Sequence, residues 1–499
     1  MRTDHPDTVG RLIVRQAAER GDHPLLICDH EQLSYREAEE QSAQLARGLV
    51  TLGAGKGSHV GVLQPNGAAF VVAMLAAARI GAVVVPFSTF ATAPELRDQL
   101  IHSDTQILLS ASGSRGHDHI ARLADVTAPW LRQIIFDNRI TGDSALLPAL
   151  EDDVDGCDPL AIIYTSGSTG VPKGAVHTHE SLLGHQLNLN EIRGLTTDDR
   201  LFCNSPFFWI GGFAFGLLAT LLAGSTLACS NATDPAETLD LLESVRPTVT
   251  NGFAAGVAHL ARHHSFPDRD LSSMRRGNLY PIMAPDVRPR DAELRHGMLG
   301  MTEGGSVVLL SGDETDQPAH RRGSFGKPAP GFETRVVDPD SGETAAAGEL
   351  YLRGPYLMQH YHKRSREECF DADGWFHTGD LVRVDDDGFV YFLGRRGSMI
   401  KTAGANVSPI EVERAIVTVS GMTAHVLGLS DSERGQIVAA VVVTPDGASL
   451  DGATLRDRLK AELSSYKIPR RILAVAAADI PLMSSGKVDV RRLAELFDA

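Results

Sequence analysis

The stretch Leu160-Ala161-Ile162-Ile163-Tyr164-Thr165-Ser166-Gly167-Ser168-Thr169-Gly170-Val171-Pro172-Lys173-Gly174 decides the fold. Its first five residues are apolar and bounded by a turn signal, the pattern of a buried strand. The ten that follow hold three glycines, four hydroxyls and one lysine. Glycines let backbone N–H groups turn toward a common centre, so such a loop can wrap phosphate oxygens. The spacing Gly-x-x-Gly-x-x-Lys-Gly fails the Gly-x4-Gly-Lys-Ser/Thr pattern, and no Gly-x-Gly-x-x-Gly follows the strand, which excludes a P-loop NTPase and a Rossmann dinucleotide site. A plain Ser/Gly linker does not follow an apolar strand and end in Pro-Lys-Gly.

That phosphate cradle sits in an acidic chain. The 499 residues carry 47 Lys and Arg against 63 Asp and Glu, a net charge of -16. A field of that sign repels nucleic acid, so any anionic ligand needs a dedicated local site. With 43% hydrophobic and 22% charged residues the chain can build cores, and its length predicts more than one domain. Cys28, Cys157, Cys203, Cys229 and Cys369 form neither a disulfide framework nor a zinc pattern, which suits a reducing cytosol. Residues 1–7 lack the apolar stretch of a secretory signal, so a cytoplasmic location is expected. The uncharged run from Ser205 to Ser230 is long enough to span a bilayer, but Gly211, Gly212, Gly216 and Gly224 interrupt it, and it reads as a buried loop and helix rather than a membrane span.

Outward from the loop, the periodicity predicts a helix after Ser34, stopping at Gly53, then a strand at 60–63, a helix near 70–79 and a strand at 82–85. Strands alternating with helices predict a mainly parallel α/β sheet. Between Arg321 and Leu393 short strands punctuated by Gly, Pro and Asp predict antiparallel structure. Beyond Gly394, strands at 425–429, 437–443 and 472–475 and a helix near 455–463 suffice for a separate α+β domain.

The segment 164–174 resembles the signature loop of the adenylate-forming superfamily, which includes acyl-CoA synthetases, adenylation domains and luciferases. In the family's order follow Gly300-Met301-Thr302-Glu303, Gly348-Glu349-Leu350, Gly374 to Leu381, Gly394-Arg395, Ile400 to Pro409 and Pro481 to Lys487. The resemblance covers nearly the whole chain. It implies an α/β fold: a large N-terminal adenylation domain, 1–396, of mainly parallel sheets plus a β-rich subdomain, and a small mobile α+β C-terminal domain, 397–499, carrying Lys487. It also implies two half-reactions with ATP, Mg²⁺ and CoA. An acid attacks the α-phosphate to give acyl-AMP and pyrophosphate, and the CoA thiol then takes the acyl group.

By the same resemblance Lys487 bridges carboxylate and phosphate, while Thr165, Ser166, Gly167, Ser168, Thr169, Gly170 and Lys173 hold the β- and γ-phosphates. Thr302 meets the α-phosphate, and Glu303 holds Mg²⁺, a hard ion suited to one carboxylate plus phosphate oxygens. Leu299, Gly300 and Met301 border the nucleotide, Gly300 also borders the acid, and Asp380 and Arg395 take the ribose hydroxyls. Gly397 falls at the family's hinge, from which a rotation would exchange Lys487 for the Lys401 loop, with Gly404 leaving room for a pantetheine arm.

Three departures stand out. Leu299 replaces the aromatic residue that usually stacks on adenine. The Gly-Gly-Ala-Pro segment and its helix give way to Pro281-Ile282-Met283-Ala284-Pro285 and a Pro/Arg-rich stretch to Arg295. Trp209 stands where relatives carry a His gating the acid pocket, within an apolar Pro206 to Phe213 segment that includes Phe207 and Gly211 and has no carboxylate to pair with an amino group. The expectation is therefore an acid–CoA ligase for an apolar or aromatic small-molecule acid. Its rivals are an adenylating biosynthetic enzyme serving a carrier protein or activating nitrite for diazotisation, and an inactive nucleotide-binding scaffold. The chain ends soon after Lys487, so a carrier is expected as a separate protein. Nothing in the sequence marks oligomerisation, for which the homodimer is the commonest form.

Overall fold

The computed structural model describes residues 7–114, 116–165, 173–339, 341–396, 400–445, 449–481 and 488–498. The first helix of the predicted α/β pattern runs over Tyr35–Thr51 and starts in a reciprocal cap. Glu37 N donates to Ser34 Oγ at 3.2 Å, and Ser34 N donates back to Glu37 Oε2 at 2.8 Å. Its apolar face, Tyr35, Ala38, Leu45, Ala46 and Leu49, packs against the helix Ala68–Arg79, whose own residues are buried all round save Ala69. Arg79 is the charged end of that buried helix, and it is satisfied by Glu39 at 2.8 Å and by Glu151.

Among the described residues two six-stranded sheets form the frame. One orders Arg276–Gly277, Val249–Asn251, Arg200–Cys203, Thr226–Cys229, Pro24–Cys28 and Glu31–Ser34, parallel except for its last pair. The other orders Lys173–Thr178, Pro159–Thr165, Val83–Pro86, His59–Leu63, Ile107–Ser110 and Gln133–Phe136. Its central strands are parallel and read as continuous apolar runs, with the side chains of both faces buried. The region after Arg321 is antiparallel, as predicted: Glu333–Val337, Ala347–Arg353, Phe376–Val384 and Val390–Arg395 lie in sequence order, over a core of their own with Leu350, Leu352 and Val382.

Two compact units divide the chain, with the later break between Gly394 and Arg395. Of the described residues the second unit holds Phe90–Gln99, Lys173 and those from Arg395 onward. Its sheet orders Ala405–Val407, Ile400–Thr402, Gly435–Val443 and Ala424–Asp431, with Arg471–Val475 added parallel to Gly435–Val443. Within this unit Lys467 is buried between two carboxylates, Glu95 at 2.8 Å and Glu411 at 2.6 Å.

The run from Ser205 takes a form that periodicity does not reveal. Trp209 N donates to Pro206 O at 3.1 Å, and Gly211–Leu218 then winds as a π-helix before an α-helical turn, Ala219–Ala223, and the strand Thr226–Cys229. A Cβ on Gly212 would stand 2.1 Å from Pro206 O, so only glycine permits this close turn. No helix among the described residues is long and apolar enough to cross a membrane.

His177, His179 and His185 are among the fully buried histidines. His179 Nδ1 accepts from Val9 N at 3.1 Å, His185 Nε2 meets Val307 O at 2.9 Å, and His177 Nε2 meets Thr302 O at 2.8 Å. Burial disfavours their charged forms, lowering His177 and His179 to about 4 and His185 to about 3. Folded imidazoles then stay neutral where unfolded ones, with an ordinary value near 6.5, gain a proton. The stability they contribute is present above pH ~6.5 and is lost as pH falls toward about 4, at about 1.4 kcal/mol per pH unit for each ring. Urea unfolding at pH 7, 6 and 5 should therefore show stability dropping steeply below pH 6.5. A flat profile would mean that these rings take up protons inside the fold.

Candidate active site

Thr165 closes the strand Pro159–Thr165, and Lys173 opens the neighbouring strand Lys173–Thr178, both half-buried. Ser166, Gly167, Ser168, Thr169 and Gly170 lie outside the described residues. The entry to the loop is anchored by Tyr164, whose hydroxyl lies 2.7 Å from His102 Nδ1, and burial holds that phenol protonated well above its usual range. At the exit Gly174 is obligatory, since a Cβ there would stand 2.5 Å from Ile162 Cγ2.

From Gly174 onward the strand is laced to the segment 358–362. His362 N donates to Gly174 O at 2.7 Å, Gln359 N to Val176 O at 2.8 Å, and Val176 N to His360 O at 3.0 Å. The same lacing reaches Glu303, whose carbonyl accepts from Met358 N at 2.8 Å. Glu303 is 7% exposed, and its Oε1 accepts the Tyr361 hydroxyl proton at 2.6 Å. Its Oε2 has no partner among the described residues. A carboxylate oxygen left in this state on a largely buried residue suits a hard cation such as Mg²⁺. Thr302 is fixed from the other side by His177 Nε2–H, the tautomer its carbonyl partner requires.

The motif strand Leu299–Met301 pairs antiparallel with Ser306–Leu310. Leu299 is buried in the core beside Val308 and Leu309, Gly300 is exposed, and Met301 is half-buried. Asp380 sits in the strand Phe376–Val384 at a register shift opposite Glu349 and Tyr351. Gly379 there has φ 72°, its N donates to Glu349 Oε1 at 3.0 Å, and Asp380 N donates to Thr378 Oγ1 at 3.0 Å. A bulge of this kind re-aims a side chain, and Asp380 ends up buried. Arg395 ends the strand Val390–Arg395, but its side chain, together with Gly397 and Lys487, lies outside the described residues.

On the expected acid side, Phe207 is wholly buried, edge-on to Phe70 with centroids 5.4 Å apart. Trp209 and Gly211 keep partial exposure, with Trp209 edge-on to Phe253 at 6.4 Å. The replaced segment forms only single turns, Tyr280–Ile282, Pro285–Val287 and Ala292–Leu294. In the second unit Lys401 is exposed on the strand Ile400–Thr402. Ala403 and Gly404, at φ 48° and 83°, make the two-residue turn to Ala405–Val407.

Sequence reasoning missed His177 and Tyr361. Each acts on a residue far away in the chain, 125 and 58 positions respectively, and neither belongs to a motif legible in one sequence.

Residues 13–362 match the family model of the AMP-binding enzymes, and residues 411–487 match that of the AMP-binding enzyme C-terminal domain. The chain is 33% identical to a feruloyl-CoA synthase from an Amycolatopsis species, over 92% of this chain and 94% of the relative. It is 29% identical to an indoleacetate–CoA ligase from Aromatoleum aromaticum, over 92% and 93%. The solved amide bond synthetase of Marinactinospora thermotolerans, 24% identical, superposes with a TM-score of 0.81 over 98% of this chain and 99% of that one. The Gly/Ser segment after Tyr164, the Thr302–Glu303 turn and the bulged Asp380 strand thus lie in a chain that belongs to the AMP-binding enzyme family, the adenylate-forming enzymes of acyl-CoA synthetase type.

Proposed function

We propose that this chain is an ATP- and Mg²⁺-dependent acid–CoA ligase that activates an apolar or aromatic carboxylic acid as its acyl-adenylate. The observation that carries the reading is the lacing of the strand after the Gly/Ser segment to Thr302 and Glu303, which puts the exit of that segment and a buried carboxylate on one support. Such a support suits the first step, in which an acid oxygen bonds to the α-phosphorus of ATP and pyrophosphate leaves. Thr165, Ser166, Ser168, Thr169 and Lys173 would hold the leaving phosphates, and Thr302 the α-phosphate. Lys487 would offset the repulsion between carboxylate and triphosphate. Mg²⁺ at Glu303 would neutralise charge on the phosphate oxygens. Asp380, an acceptor when ionised, and Arg395 would fix the ribose.

In the second step the CoA sulfur bonds to the acyl carbon and AMP leaves. Lys401 and Gly404, on a small C-terminal domain turning at Gly397, would serve that step. Its two-residue turn gives the Lys401 loop a defined shape. The acid class rests on the apolar 206–213 segment with its half-exposed Trp209, and on relatives named for ferulate and indoleacetate. The free state of all five cysteines suits a cytoplasmic enzyme.

Pyrophosphate release from Mg²⁺-ATP, measured against aliphatic acids, aromatic acids, amino acids and nitrite with and without CoA, tests the reading. Release with an apolar or aromatic acid, and a thioester product only with CoA, is the expected result. Turnover that needs no CoA, or that answers only to nitrite, would replace the acceptor or the acid, and no release with any acid would favour a scaffold. In the same assay Lys487→Ala should slow adenylation about 10²–10³-fold, the usual cost of removing one preorganised electrostatic group. An unchanged rate would remove Lys487 from the chemistry.

A further inference from the structure

We infer that Tyr361 is a positioning residue that makes Glu303 a one-oxygen ligand and thereby selects a small octahedral cation over a larger one; the inference rests on the reading of Glu303 as the metal ligand. An ionised carboxylate has two oxygens and can meet a cation through one or both. Here Oε1 is engaged by the Tyr361 hydroxyl at 2.6 Å, in surroundings where Tyr361 and Glu303 are 8% and 7% exposed. Oε1 thus spends one of its lone pairs on the phenol, while Oε2 has no partner among the described residues and keeps both for a cation.

The phenol is well placed to impose this. Tyr361 N donates to Cys369 Sγ at 3.3 Å, the residue bridges Ala175 on the strand after the phosphate loop, and its ring lies edge-on to Phe376 at 6.5 Å. Three residues earlier Met358 N holds the Glu303 carbonyl, so one short segment grips both the backbone and the side chain of Glu303. Mg²⁺ and Mn²⁺ accept a single carboxylate oxygen within octahedral geometry, whereas Ca²⁺ takes a carboxylate through both oxygens with ease. Removing the phenol proton frees Oε1. The carboxylate then loses its orientation toward a small cation and gains a mode that suits a large one.

The test is direct cation binding, independent of turnover. Mn²⁺ is titrated by its electron paramagnetic resonance signal into the full chain with a non-hydrolysable ATP analogue, and Ca²⁺ is then used as competitor, for the wild type, Tyr361→Phe and Glu303→Gln. Tyr361→Phe should bind Mn²⁺ about 10-fold more weakly, the loss typical of an outer partner of a metal ligand. Its loss for Ca²⁺ should be smaller, so the Mn²⁺ to Ca²⁺ preference narrows. Wild-type affinity in Tyr361→Phe, with Mn²⁺ lost in Glu303→Gln, overturns the inference and leaves the metal reading standing. Wild-type affinity in Glu303→Gln overturns both. Should Tyr361→Phe not fold, 3-fluorotyrosine at position 361 gives a second route by ¹⁹F resonance. The signal should shift when Mg²⁺ joins the enzyme–analogue complex, and a signal that does not move overturns the inference.

Discussion

A carboxylate with 7% of its residue surface in contact with solvent must be met by donors or a cation, and Glu303 is that carboxylate. One oxygen is met by the Tyr361 phenol, the carbonyl by Met358 N, and the preceding carbonyl, of Thr302, by a neutral His177. Each of these partners belongs to, or is laced to, the strand Lys173–Thr178. The loop exit and the Thr302–Glu303 turn are therefore parts of one hydrogen-bonded body. The buried histidines stay uncharged because burial disfavours the imidazolium, and His179 can accept from Val9 N only in that neutral form.

The chain's charge of -16 works against its own proposed substrates, since ATP and a carboxylic acid are both anions. The chemistry must then be concentrated where cations and N–H groups are placed one by one. On the proposed reading Lys173 at the loop exit and Lys401 on its small hairpin would be separate solutions of that kind, on different strands. Lys467 shows the opposite use of the same residue type, since it is buried between Glu95 and Glu411 and is consumed by structure.

Much of this organisation is legible in the sequence because it is local. The Ser34–Glu37 cap, the apolar runs of the parallel strands and the Gly/Ser loop after Tyr164 each announce themselves within a few residues. What stays hidden is set by distant partners. The π-helical winding of Gly211–Leu218 depends on the close approach of Gly212 to Pro206 O, which hydrophobic spacing does not encode. Phe207 and Trp209 are near neighbours in an apolar run, yet packing against Phe70 buries the first wholly and leaves the second partly exposed. His177 and Tyr361 carry no motif, and only the fold brings them to Thr302 and Glu303.

The central claim is that an acid oxygen bonds to the α-phosphorus of ATP, and isotope transfer tests it most directly. An acid that supports turnover, labelled with ¹⁸O in both carboxyl oxygens, is carried through the full reaction and the phosphate products are weighed by mass spectrometry. The account predicts one ¹⁸O in each AMP released and none in pyrophosphate. Unlabelled AMP, with ¹⁸O in pyrophosphate or inorganic phosphate, would contradict it.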